Sequence, residues 1–229
     1  QALAGGGRNP RPGEITLAHR GVLFLDEMPE FSRRSLEILR QPLEDKVIRI
    51  SRVYGTYDFP ADFMLCAAMN PCPCGHYPDM NRCRCTPAQV MQYLGRISQP
   101  LLDRLDLCAE VSPVDFEGLS SGRKGESTQT IRERVICAQD IQRERYKIEG
   151  IQFNGELSGA QIEKYCKMEK DARQLLKMAF QNMPFSARAY HRILKVARTI
   201  ADMEATESIH RHHIAEALSY RAFDKKYWN

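Results

Sequence analysis

The sequence predicts an α/β fold followed by an all-α helical domain, and three observations carry that expectation. Val22 to Leu25 is an unbroken apolar run after Gly21, which suits a strand buried on both faces of a parallel sheet. Phe63 to Ala68 reads as a second buried strand. Beyond residue 128, apolar residues recur at three- and four-residue spacing through four or five segments, as in amphipathic helices of a small bundle.

Residues 1–13, with Gly5 to Gly7, Pro10 and Pro12, read as an irregular lead-in. The triple glycine has no strand before it and no Gly-Lys-Ser/Thr ending, so it fails the test for a phosphate loop. The polar run from Gly122 to Thr128 fails too and reads as a linker. Glu14 to Ala18 is expected as a short helix leading into the strand at 22–25.

That strand stops at Asp26 and Glu27. Desolvating an unpaired carboxylate is costly, and the carboxyl end of a parallel strand faces the crevice where ligands bind. There Asp26 can hold Mg²⁺ and Glu27 can polarise an attacking water. The bland alternative is a helix-capping Asp followed by a first-turn Glu.

Ser32 is expected to cap a helix through Arg40, with Leu36 and Leu39 inward and Pro42 ending or kinking it. Val47 to Ile50 and Val53 to Phe59 predict a hairpin with Arg52 near its tip. The second buried strand ends at Asn70-Pro71, where the Asn either orients a water at a γ-phosphate or starts an Asn-Pro turn.

Cys72, Cys74, Cys83 and Cys85 then form two close pairs eight residues apart. Four thiolates suit tetrahedral Zn²⁺, with His76 as a possible substitute ligand. A metal-free reduced loop or two disulfides are the alternatives. Helices follow from Pro87 and from Ser98, then a third strand over Leu105 to Val111. Arg104 falls between helix and strand, where a surface salt bridge is the bland reading.

The composition turns polar from Phe116 to Thr128, so the expected division is a core over 1–117, a linker over 118–127 and a helical domain over 128–229. In that domain the expected helices end near Tyr146, run from Ser158 to Tyr165, from Glu169 to Met183, from Ser186 and from Ile209 to Tyr220. On the Ser186 helix Ala189, Ile193, Ala197 and Ile200 face inward, and Arg188, Arg192, Lys195 and Arg198 are read as a solvated face.

The 229 residues are 43% hydrophobic, enough for one good core and a smaller one. No window has the apolar length of a membrane span, and none reads as a secretory signal. A net charge of +4 permits contact with nucleic acid without demanding it. Cys66, Cys108, Cys137 and Cys166 lie among apolar neighbours and read as reduced core residues, which implies a cytoplasmic protein.

Taken together, these residues resemble the Mg-chelatase-like AAA+ ATPases, most of all the competence-associated (ComM/YifB type) branch. The resemblance rests on Gly13 through His19 to Asp26-Glu27, on Ala68 to Gly75, on Tyr93 to Ser98, on Leu101 to Arg104, and on Ser186 to Asp202. It implies the C-terminal part of a P-loop ATPase core with a β-hairpin insertion, then a helical lid. The family's N-terminal domain and P-loop would precede Gln1, so these residues alone are expected not to hydrolyse ATP. Asp26 and Glu27 correspond to the Walker B pair, Asn70 to sensor 1, Arg104 to an arginine finger and Arg188 to sensor 2. The hairpin carrying Lys46, Arg49 and Arg52 corresponds to an insertion that touches DNA in related ring motors.

The implied function is an ATP- and Mg²⁺-dependent, homo-hexameric motor acting on single-stranded or branched DNA, with a structural Zn²⁺ in the cysteine loop. One alternative is a chelatase motor subunit that drives Mg²⁺ into a porphyrin. Another is a non-catalytic, zinc-stabilised DNA-binding module.

Overall fold

The structure, a computed structural model, describes residues 2–7, 9–52, 55–111, 120, 125–183 and 185–221. The chain divides into a first compact unit reaching to Leu105 and a second beginning at Asp106. Most of the expected linker, 118–127, lies outside the described residues.

The first unit is mixed α/β. Strands β1 (Val22–Leu25) and β4 (Met64–Ala67) pair in parallel, with Val22 beside Met64 and Leu25 beside Ala67. Strands β2 (Val47–Arg52) and β3 (Gly55–Pro60) form the expected antiparallel hairpin. Short helices α1 (Glu14–Leu17), α2 (Arg33–Glu37), α3 (Arg40–Asp45), α4 (Pro87–Leu94) and α5 (Gln99–Leu102) surround them. Leu23, Leu25, Ile48 and Ile50 meet Ile15, Leu36, Leu39 and Leu101 in one core. The base of the hairpin is therefore rooted in that core, while Arg52 and Gly55 at its far end are exposed.

Four expectations are corrected here. Strand β1 is buried on one face only: Leu23 and Leu25 are covered, but Val22 and Phe24 are 59% and 58% exposed. Among the described residues it has β4 as its sole strand neighbour, and the core lies on one side of the pair. Pro42 does not end a helix, because the chain breaks at Ile38–Leu39 instead and Pro42 sits in the first turn of α3, where its missing N–H costs nothing. Among the described residues, 105–111 form no strand, and the Cys108 N–H donates to Tyr220 O at 3.1 Å. Of the four scattered cysteines only Cys166 is buried, while Cys66 and Cys137 are exposed.

The second unit is all-helical: α6 (Thr128–Arg145), α7 (Gly159–Tyr165), α8 (Lys170–Asn182), α9 (Ala187–Met203) and α10 (Arg211–Ser219). Helix α9 is its centre and packs against α6, α7 and α10. Its alanines at 189, 197 and 201 are fully buried, which lets neighbouring backbones approach. Ser186 caps it by accepting the Ala189 N–H. Arg198 is not on a solvated face as expected; it is fully buried. Asp202, one turn along, accepts its Nε–H, and the carbonyls of Glu207 and Thr206 accept from Nη1 and Nη2. Arg145 closes the same network on Asp202 from α6. A buried guanidinium is tolerable only with such partners.

Candidate functional site

The parallel register of β1 and β4 brings their carboxyl ends level. Ala68 N–H donates to Leu25 O at 2.9 Å and Met28 N–H to Ala68 O at 3.0 Å. Asp26 and Glu27 therefore leave one strand beside the segment that carries Asn70 out of the other. All three side chains are exposed. Glu27 sits in the left-handed region at φ 48°, ψ 49°, a conformation that L side chains adopt at a cost of about 1–2 kcal/mol. It is fixed on both sides. Its N–H donates to Asp26 Oδ1 at 3.0 Å, and the next residue, Met28, is buried.

The turn after Glu27 has a second anchor that the sequence did not single out. Arg96 donates to Pro29 O at 2.6 Å and pairs with Glu30 at 3.2 Å. Tyr93 lies buried nearby; its burial, then the charges of Glu30 and Glu27, raise its pKa.

Asn70 abuts the cysteine loop, for a side-chain carbon added to Gly75 would lie 3.9 Å from the Asn70 amide. In that loop Cys72 Sγ is 3.4 Å from Cys74 Sγ and 3.8 Å from Cys83 Sγ, and Cys74 is 3.6 Å from Cys83. Cys85 completes a set whose sulfurs all lie within 4.8 Å of one another, and His76 is not part of it. Four thiolates about 2.3 Å from a tetrahedral ion stand about 3.8 Å apart, so this donor set fits Zn²⁺. All four are free thiols, not disulfides. The backbone N–H groups of His76 and Arg84 pull the Cys74 thiol down to about 6, while burial and the neighbouring thiols push Cys85 up to about 12. The loop packs on Val90, Tyr93 and Leu94, and Met69 joins that cluster to the main core.

Arg104 is 7% exposed and fully engaged within its own unit. It donates through Nε to Arg40 O at 3.0 Å, to Pro100 O, and pairs with Glu44 at 2.7 Å. Sequence reading could not find Glu44, because it lies sixty residues away on α3.

The hairpin cations are not equivalent. Lys46 caps α3 in the left-handed region and pairs with Asp62 at 3.2 Å. Arg49 makes a bidentate pair with Asp58, its cross-strand neighbour, at 2.9 and 3.1 Å. Arg52 donates to two carbonyls, Gly7 O at 3.3 Å and Ser51 O at 2.9 Å. Arg188 is exposed in the first turn of α9 in the second unit.

Comparison with known proteins gives the following. Residues 1–119 match the family described as magnesium chelatase, subunit ChlI, and residues 125–221 match its C-terminal part. The chain is 48% identical over 98% of its length to the uncharacterized protein YifB of Salmonella typhimurium, covering 44% of that protein. It is 48% identical over 96% of its length to the competence protein ComM of Haemophilus influenzae, covering 43% of it. It is 41% identical over 96% of its length to the uncharacterized protein Mb2921c of Mycobacterium bovis, covering 44%. The chain thus spans less than half the length of these relatives.

Proposed function

The chain belongs to the magnesium chelatase ChlI family, and from that premise we propose that it is part of an AAA+ ATPase that drives a homo-hexameric ring motor along single-stranded or branched DNA. The observation that carries the proposal is the joint exit of Asp26, Glu27 and Asn70 from adjacent parallel strands. That is where an α/β sheet presents residues to a ligand.

In this reading Asp26 holds Mg²⁺, which supplies neutralisation of charge on the phosphate oxygens. Glu27 accepts a proton from the attacking water, and Asn70 orients that water. The left-handed backbone at Glu27 aims its carboxylate out of the turn that Arg96 anchors. Arg188 contributes positive charge from the lid, and Arg104, to act at the nucleotide of a neighbouring subunit, has to give up its pairing with Glu44 and the Arg40 carbonyl. The four cysteines would hold a structural Zn²⁺, which would stiffen the loop beside Asn70.

The DNA substrate is supported by the relative named for competence and by the hairpin. Lys46 and Arg49 face carboxylates, so Arg52 is the principal phosphate contact of the three. A second reading, a motor for Mg²⁺ insertion into a porphyrin, is favoured only by the family's name.

The test uses the full-length protein. ATP hydrolysis should be stimulated by single-stranded DNA and abolished by Glu27→Gln. Arg52→Ala should leave basal hydrolysis intact, weaken DNA binding and flatten its log K against log salt slope by about 0.7. Hydrolysis that ignores DNA but responds to a porphyrin-binding partner would replace this reading with the second one.

A further inference from the structure

The helical unit contains a cavity of about 530 Å³ between α7, α8 and α9. It lies wholly within that unit, and its use does not depend on the nucleotide reading above. The volume falls in the range of sites that take a drug-sized ligand or a few peptide side chains.

Its floor is apolar: Ile162 from α7, Leu176 from α8 and Leu194 from α9 are each buried at 3% exposure or less. One end is aromatic. Phe180 meets Tyr190 edge-on at 5.5 Å and Phe185 at 5.0 Å, and half-buried Phe180 and Tyr190 line the opening. Rings so placed can accept one more apolar or aromatic side chain by edge or offset contact.

The rim is charged, and unequally so. Arg173 and Lys177 stand one turn apart on α8, both exposed, with exposed His191 across on α9. Glu163 is the one carboxylate of the lining among the described residues. Residues four apart on a helix lie about 5–6 Å from each other. Two cations at that spacing suit alternate carboxylates on an extended chain, which share one face about 6.5 Å apart, beside a pocket for a bulky apolar group.

We propose that this cleft is a docking site for an acidic peptide segment that ends in, or encloses, a bulky apolar anchor. The anchor lies against the paired Phe180 and Tyr190 rings over the apolar floor. The acidic residues lie along Arg173 and Lys177. An all-apolar ligand would leave the cations unused. A single-stranded nucleic acid would gain the cations and a ring to stack on, but has no use for the aliphatic floor of Ile162, Leu176 and Leu194.

The test is binding of a fluorescein-labelled peptide of four aspartates followed by Leu-Phe to the full-length protein, read by polarisation. Saturable binding is expected. The double variant Arg173→Glu, Lys177→Glu should weaken it at least tenfold, and both positions are exposed enough to preserve the fold, which circular dichroism checks. A probe with Ser in place of Leu and Phe should likewise bind at least tenfold more weakly to the unaltered protein. Absence of binding, binding that survives the charge reversal, or equal binding of the Ser probe would each overturn the proposal. Displacement of the probe by a single-stranded oligonucleotide that loses this ability in the same double variant would assign the cleft to nucleic acid instead. ATP hydrolysis should be unchanged in the double variant, which separates this outcome from failure of the motor reading.

Discussion

At the scale of single residues, two carboxylates are held in very different ways. Glu27 is held by backbone strain, in a left-handed conformation between Asp26 and buried Met28. Replacing it with Gly should relieve that strain and raise the unfolding free energy by up to about 1 kcal/mol. The same change should abolish hydrolysis in the full-length protein. Chemical denaturation checks the first outcome, and no gain in stability would mean that the conformation is unstrained. Glu149 is held by charge. Lys164 first, then Tyr165 and Gln161, bring its pKa from 4.5 down to about 2. A depressed folded pKa means that the stabilisation is fully present above pH 4.5 and is lost as pH falls towards 2. The urea midpoint of the wild type should therefore fall between pH 5 and pH 2.5 by more than that of Glu149→Gln. Equal losses would place the acid sensitivity elsewhere.

At the scale of elements, the cysteine loop is the clearest case of a segment that needs help from outside its own sequence. It contains no regular secondary structure between β4 and α4, and its packing comes from Val90, Tyr93 and Leu94 on α4. The capping box of Thr86 and Gln89 fixes where that helix starts, so the two cysteine pairs return to one place. One Zn²⁺ per chain is expected, countable by native mass spectrometry of protein prepared without chelator. Cys74→Ser should lower the occupancy sharply, and Cys166→Ser should leave it unchanged. Because Gly75 of the loop lies beside the Asn70 amide, stripping the metal should also reduce hydrolysis in the full-length protein. A metal-free protein with full activity would leave the four sulfurs as a reduced packing cluster.

At the scale of the whole molecule, Arg104 is part of the internal architecture, and the proposal above also gives it a role between subunits. Its engagement with Glu44 and the Arg40 carbonyl ties α3 to the segment after α5. Arg104→Ala should therefore cost about 1–3 kcal/mol of stability as well as activity. If it also serves a neighbouring subunit, mixing Arg104→Ala with Glu27→Gln full-length subunits should restore part of the hydrolysis that each lacks. No recovery, with subunit exchange confirmed, would make Arg104 an internal clamp alone. The sequence by itself determined the order and kind of most elements, because strand runs, helical periodicity and capping residues act over a few residues. It also marked Asp26, Glu27, Asn70 and the four cysteines, since acids, amides and thiols stand out at the ends of apolar runs. Only the tertiary structure decided which faces are covered, as Val22 and Phe24 on β1 and Arg198 on α9 reveal. It alone decided the backbone conformation of Glu27 and the anchoring of its turn by Arg96. It alone decided that Lys46 and Arg49 face carboxylates while Arg52, among the described residues, bonds to carbonyls. The physical reason is range: burial and ion pairing are set by groups brought together from distant parts of the chain, and no local pattern of residues contains its own long-range partner.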